Sequence, residues 1–199
     1  MTTFDPLAHF GLFVKEGFFD ERICQTIISE MRLDEGSPAT LYGRGSTDAI
    51  DDRMRKSTRH TPQSETDLFV RQQLVECKSQ VEEHFGVSLR CLEEPQFLRY
   101  GVGDFFVAHQ DGNTGLLRMD QESRLVSVVI LLSRGADVPE ENAYCGGALL
   151  FHDRNRIHVS GELSLTRKPG TFVAFRSETT HEVTPVTSGE RYSIASWYR

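Results

Sequence analysis

Hydrophobic positions in this 199-residue chain follow a helical period first and a strand period afterwards. In DERICQTIISEMRL (20–33), Ile23, Ile27 and Met31 recur at steps of four, with Cys24 and Ile28 beside them. Asp20 stands where an N-cap is wanted, its short carboxylate able to accept a free N–H of the first turn. A second stripe, Val70, Leu74, Cys77, Val81 and Phe85, advances by threes and fours. It ends at Gly86, which is free to take the left-handed conformation that stops a helix. Both stripes predict helices packed on a core. Between them, DEGSPATLYGRGSTDAIDDRMRKSTRH (34–60) is rich in Gly, Ser and Asp and shows no period. It is long for a passive connection, and reads either as a substrate-facing or mobile loop or as a surface excursion.

From residue 87 the pattern changes. FLRYG, DFFVAHQ, RLVSVVILLS, GGALLFHD, GELSLTR, TFVAFRS and RYSIASWYR are rich in Val, Ile, Phe and Tyr and are divided by turn residues. Lys168-Pro169-Gly170 is the clearest turn, with the proline pre-set and the glycine open to positive φ. Two helices followed by seven or eight strands predict a mainly β, α+β fold, with the helices packed on a β-sandwich or jelly roll. The length suits one domain over 1–199, residues 1–86 giving helical support and the loop, and 87–199 the β core.

Composition narrows the function. Hydrophobic content of 38% and charged content of 26% are those of an ordinary globular protein. A net charge of −7 disfavours a nucleic-acid backbone as partner. No stretch is long and apolar enough to span a membrane, and the N-terminus lacks a signal-peptide pattern, so a cytoplasmic location is expected. Nothing in the chain sets an oligomeric state. Cys24, Cys77, Cys91 and Cys145 form no CxxC and read as reduced thiols.

The candidate chemistry starts at VAHQDGNTG (107–115). Side chains at i and i+2 of a strand point the same way, so His109 and Asp111 can offer an imidazole nitrogen and a carboxylate oxygen to one ion. Alone this pair is a weak signal. His181, just after TFVAFRS, completes two histidines and a carboxylate. On one face of a six-coordinate metal, that set leaves three positions open, the arrangement of non-haem Fe(II) oxygenases; zinc is the competing occupant. Arg191 and Ser193 share one face of the last strand. A guanidinium clamps a carboxylate in bidentate fashion and a hydroxyl two residues on adds a hydrogen bond, which suits the far carboxylate of a 2-oxo acid.

YGVGDFFVAHQD from Tyr100, GGALLF from Gly146, KPGTFVAF from Lys168, HEVTPV from His181 and GERYSIASW from Gly189 together resemble the prolyl 4-hydroxylase-like Fe(II)/2-oxoglutarate dioxygenases. The resemblance covers roughly residues 95–199 and extends more faintly to MRKSTRH (54–60), similar to an arginine-serine stretch upstream in these enzymes. It implies a double-stranded β-helix, with His109, Asp111 and His181 as iron ligands and Arg191 as salt-bridge partner of the 2-oxoglutarate C5 carboxylate. Tyr100 and Ser193 would contact the same co-substrate. The implied activity is hydroxylation of an unactivated C–H using O2, with release of succinate and CO2, and ascorbate as an accessory reductant. A prolyl residue or proline-like substrate comes first; a small biosynthetic metabolite or amino acid, or a non-catalytic module sensing iron, oxygen or 2-oxoglutarate, are the alternatives. Arg53, Arg55, Lys56 and Arg59 in the 34–60 segment either read an acidic group on the substrate or are solvated loop charges. Where some relatives carry a second tyrosine, this chain has Ile130 and Leu131, which implies a different pocket wall. His152 and His158 are decoys. His9, His60 and His84 read as ordinary polar residues, Gly101-x-Gly103 as a turn, Gly146-Gly147 as a close backbone approach, and Trp197 as core.

Overall fold

In a computed structural model, residues 6–40, 51–112, 124–152 and 167–199 are described. The helices are α1 (Pro6–Phe10), α2 (Glu21–Leu33) and α3 (Ser64–Phe85). The first strands are β1 (Phe13–Lys15), β2 (Ser37–Pro38), β3 (Arg55–Lys56) and β4 (Thr58–His60). Then follow β5 (Gln96–Tyr100), β6 (Phe105–His109), β7 (Val126–Leu131) and β8 (Arg134–Gly135). The remainder are β9 (Ala143–Gly146), β10 (Leu149–His152), β11 (Thr171–Arg176), β12 (Thr180–Val183), β13 (Val186–Ser188) and β14 (Arg191–Tyr198).

Both helical stripes behave as their periodicity predicts. The Asp20 side chain accepts the Ile23 N–H at 2.7 Å, and Gly86 caps α3 at φ 62°. Cys24, Ile27, Ile28 and Met31 of α2 are buried, as are Val70, Leu74, Cys77, Val81 and Phe85 of α3. None of the described helices is long and apolar enough to cross a membrane.

The strands form a major sheet in the order β1-β11-β7-β14-β5-β4-β2 and a minor sheet in the order β10-β12-β6-β3. A third, small sheet runs β13-β9-β8. Alternation along the central strands gives the major sheet two apolar faces. Phe172 and Ala174 of β11, Val128 and Ile130 of β7, and Tyr192, Ile194 and Tyr198 of β14 pack with the helices. Val173 and Phe175 of β11 instead join Leu98, Tyr100, Leu149, Phe151 and Val183 in a second cluster that includes residues of the minor sheet. The same alternation sends Arg191, Ser193, Ala195 and Trp197 of β14 to the face away from the helices. This is the double-stranded β-helix, a jelly roll.

Two details of the sequence reading change. The non-periodic 34–60 segment contains β2, β3 and β4, so part of it is sheet and not loop. The run expected as one strand over 146–153 is broken at Gly146 and Gly147, which take φ of 69° and 56°. A Cβ on Gly147 would stand 3.0 Å from Arg191 Cδ, so the close approach there is to the arginine stem. The strand expected over 161–167, the GNTG rim, His158 and the middle of the 34–60 segment lie outside the described residues, Arg167 and Gly112 excepted.

Candidate active site

β6 and β12 are antiparallel neighbours with His109 directly opposite His181, so residues 72 apart in sequence meet as a cross-strand pair. Asp111 lies beyond the end of β6. Its N–H and that of Gly112 both donate to the Ser177 carbonyl, at 3.0 and 2.9 Å, which ties the turn to the end of β11. Gly112 is needed there because a Cβ would come within 2.7 Å of the Arg124 carbonyl oxygen.

Orientation of the two imidazoles follows from hydrogen bonding. Nδ1 of His109 meets the Val107 carbonyl at 2.8 Å, and Nδ1 of His181 meets the Thr179 carbonyl at 2.9 Å. A carbonyl only accepts, so each Nδ1 carries the proton and each Nε2 keeps its lone pair. Those Nε2 atoms lie 3.6 and 3.5 Å from the two Asp111 oxygens. One donor atom from each residue falls within 4.8 Å of the others, the one such cluster found among the described residues. Two neutral nitrogens and a carboxylate oxygen suit a divalent first-row ion, and carbonyl-tethered imidazoles are the usual support for such ligands.

Electrostatics keep the set in its metal-binding form. Burial opposes ionisation of Asp111, but the His181 and His109 rings and the Trp197 indole beside it hold its carboxyl well below the usual range. Burial pushes the His181 imidazole down to about 4, against the pull of Asp111, so it is neutral near pH 7. Phe106 stacks on the His109 ring, with centroids 3.5 Å apart at 16°, and Phe175 meets His181 edge-on at 4.6 Å.

Trp197 is both core and site. It is buried and lines the pocket beside Asp111, whose carboxyl it helps to hold below the usual range. Its ring lies under the Arg124 guanidinium at 3.7 Å, and Arg124 is gripped by Glu93 through two hydrogen bonds of 2.8 and 2.7 Å.

The second half of the site is Arg191, which is 1% exposed. β14 pairs with β5 so that Arg191 faces Tyr100, with the guanidinium carbon 5.2 Å from the ring centre. One terminal N–H donates to Ser193 Oγ at 2.8 Å, while Nε is buried without a hydrogen-bond partner. A guanidinium in that condition is suited to a carboxylate. Tyr100, His109, Asp111, His181, Arg191 and Ser193 all line one pocket, whose remaining walls include Leu98, Leu149, Val183 and Ala195.

All six residues singled out in the sequence are therefore brought together. Of the two positions expected to alter the pocket wall, Ile130 packs with the helices, while Leu131 pairs with Ser193 on the pocket face, where Val129 of the same strand lines the pocket. His152 lies near Glu182, at 3.5 Å, outside the ligand cluster. His60 is buried, with Nδ1 3.1 Å from the Asp34 carbonyl. Phe106, which the sequence reading does not mark, lines the pocket too, as do Arg55, one of the four basic residues noted there, and Trp197, read there as core. Only a knowledge of which strands pair would have placed them in the pocket.

The model of the 2OG-Fe(II) oxygenase superfamily matches residues 95–199, and the chain belongs to that family. A PKHD-type hydroxylase of Shewanella oneidensis is 37% identical over 108 residues, covering 52% of this chain and 41% of that protein. A PKHD-type hydroxylase of Burkholderia thailandensis is 35% identical over 103 residues, with the same coverage of 52% and 41%. The matched stretch thus spans about two-fifths of the length of these curated relatives. Among solved structures, a Pseudomonas putida prolyl-4-hydroxylase superposes with TM-score 0.69 at 23% identity, over 97% of this chain and 94% of that one. A Trichoplax adhaerens prolyl hydroxylase, in complex with a hypoxia inducible factor peptide fragment, gives 0.67 at 16%, over 96% and 84%. At these identities the structural likeness establishes the fold.

Proposed function

We propose that this protein is an Fe(II)- and 2-oxoglutarate-dependent hydroxylase acting on a prolyl residue or proline-like substrate, with release of succinate and CO2. The observation that carries the reading is one pocket holding two Nε2 lone pairs and an ionised carboxylate beside a buried arginine with an unpartnered Nε. His109, Asp111 and His181 would hold the iron. Bound there, iron supplies activation of O2, with the oxidative decarboxylation of 2-oxoglutarate as source of two electrons.

Arg191 anchors the far carboxylate of 2-oxoglutarate. Ser193 Oγ accepts from Arg191 and keeps its own O–H for the same carboxylate, and Tyr100 closes the end of the slot. Leu98, Leu149, Val183 and Ala195 give that slot apolar walls that exclude water and strengthen the ion pair. Trp197, beside Asp111 in the pocket, helps to keep that carboxylate ionised and would support it as a metal ligand. The prolyl substrate is supported by the likeness to the Pseudomonas and Trichoplax prolyl hydroxylases and to the PKHD-type hydroxylases.

The test is spectroscopic and chemical. Adding Fe(II) and 2-oxoglutarate without oxygen should give a visible charge-transfer band, lost in His109→Ala and weakened in Arg191→Ala. In air, a succinate-release screen against prolyl peptides and free amino acids should find a substrate that gains one oxygen by mass. A wild-type protein without the band refutes the reading; a band without succinate under any condition favours a binding module.

A further inference from the structure

We propose that Arg55 selects a substrate that carries a carboxylate close to the oxidised C–H; this rests on the oxygenase reading above. Arg55 is 6% exposed and lines the pocket of the candidate metal site. It sits on β3, the edge strand of the minor sheet, opposite Phe106 of β6. Its guanidinium carbon lies 4.9 Å from the Phe106 ring centre, and the same ring stacks on His109. A cation therefore stands one aromatic ring away from a candidate iron ligand.

Its partners do not neutralise it. Nε donates to Ser57 Oγ at 3.0 Å and Nη1 to the Thr40 carbonyl at 3.2 Å, both uncharged acceptors. Among the described residues no carboxylate lies within ion-pair distance of Arg55, and Nη2 has no hydrogen-bond partner. The neighbouring basic residues differ. Arg53 is near Asp51 at 3.5 Å, Lys56 near Asp104 at 3.4 Å and Arg59 near Glu94 at 3.6 Å. Of these four cations, the most buried is the one without a counter-charge among the described residues.

A buried unpaired cation is expensive, and it persists where a ligand completes it. The charge of the loaded site points to an anion. A divalent ion, the Asp111 carboxylate, the Arg191 guanidinium and a 2-oxoglutarate dianion cancel one another. Arg55 then leaves one positive charge over. The free Nη2 edge accommodates a carboxylate oxygen with a charge-assisted hydrogen bond, whereas an amide in that place leaves the charge uncompensated.

The experiment uses the full chain with Fe(II) and saturating 2-oxoglutarate under anaerobic conditions, so that Arg191 is already occupied. N-acetylproline and N-acetylprolinamide, which differ by the carboxylate alone, are titrated while the charge-transfer band is followed. The acid should bind about 10-fold or more tightly than the amide. Arg55→Gln should reduce that preference to about 2-fold or less while the 2-oxoglutarate band and the melting temperature stay as in wild type; Arg55→Lys should keep part of it. Equal binding of the two probes by the wild type overturns the proposal, as does failure of both to bind with the band present. Retention of the full preference in Arg55→Gln overturns it too. Absence of the band itself is a different result: it removes the oxygenase reading on which the proposal stands.

Discussion

Arg191 and Tyr100 stand directly opposite each other across β14 and β5, with the guanidinium 5.2 Å from the aromatic ring centre. The ring braces one side of the cation, Ser193 takes one of its N–H groups, and the Gly147 backbone makes room for its stem. The arginine is thus fixed before any ligand arrives. Replacing it with glutamine removes a charge-assisted bond worth about 1.5–3 kcal/mol. The Kd for 2-oxoglutarate, measured by titration of the Fe(II) complex, should rise on the order of 10- to 100-fold. Binding unchanged in Arg191→Gln would place the co-substrate carboxylate elsewhere.

Trp197→Phe keeps a ring beneath Arg124 and deletes the indole N–H beside Asp111. Loss of such an outer partner typically lowers metal affinity about 10- to 100-fold. Mn(II) titration of the protein should show that loss with little change in the unfolding midpoint. An affinity equal to wild type would reduce Trp197 to packing.

Acid should weaken the metal-free protein through His181. Its imidazole titrates near 4 when folded and near 6.5 when free, so below 6.5 the unfolded chain takes up the proton first. The stabilising contribution is complete above about pH 6.5 and fades as pH falls towards 4. Thermal melts across that window should show a falling midpoint, and His181→Gln should flatten the slope there. A slope unaffected by the substitution would show that other groups govern it.

Gly170 takes φ of 73°, and a Cβ there would collide with the Phe19 carbonyl. Its own N–H donates to the Leu131 carbonyl at 2.7 Å, and its carbonyl accepts from Phe19 N–H at 3.3 Å. Gly170→Ala should therefore destabilise the fold by more than about 1 kcal/mol, read from the shift in denaturant midpoint. This turn joins β11 to the segment before α2, and the variant should lose helix packing along with it.

The turn at Gly170 was legible because proline and glycine carry their backbone preferences in the residue itself. His109 and Asp111 were legible because a strand repeats every second residue, and the resemblance of five ordered motifs supplied His181 and Arg191 with their roles. Arg55 was not. A two-residue strand has no period, and a basic residue in a polar stretch looks like its solvated neighbours until β3 is seen against β6. Trp197 looked like core for a related reason: it is buried, and only the turn after β6 brings a carboxylate beside it. Of the two β7 positions expected in the pocket wall, Ile130 pairs with Ile194 and so shares its helix-facing side, while Leu131 pairs with the pocket residue Ser193; which face of β7 meets the pocket depends on its register with β14.

Each candidate histidine ligand is fastened by the carbonyl two residues before it on its own chain. The imidazoles are thereby aimed by the local backbone and not by the ion. Small zinc domains that exist only around their metal behave differently, because their loading is their folding. Here a chelator should strip the ion and leave the barrel standing, and the emptied cup should refill without any rebuilding of the chain. The ion could then leave and return without the chain unfolding, and a melt before and after chelation should show the same cooperative transition.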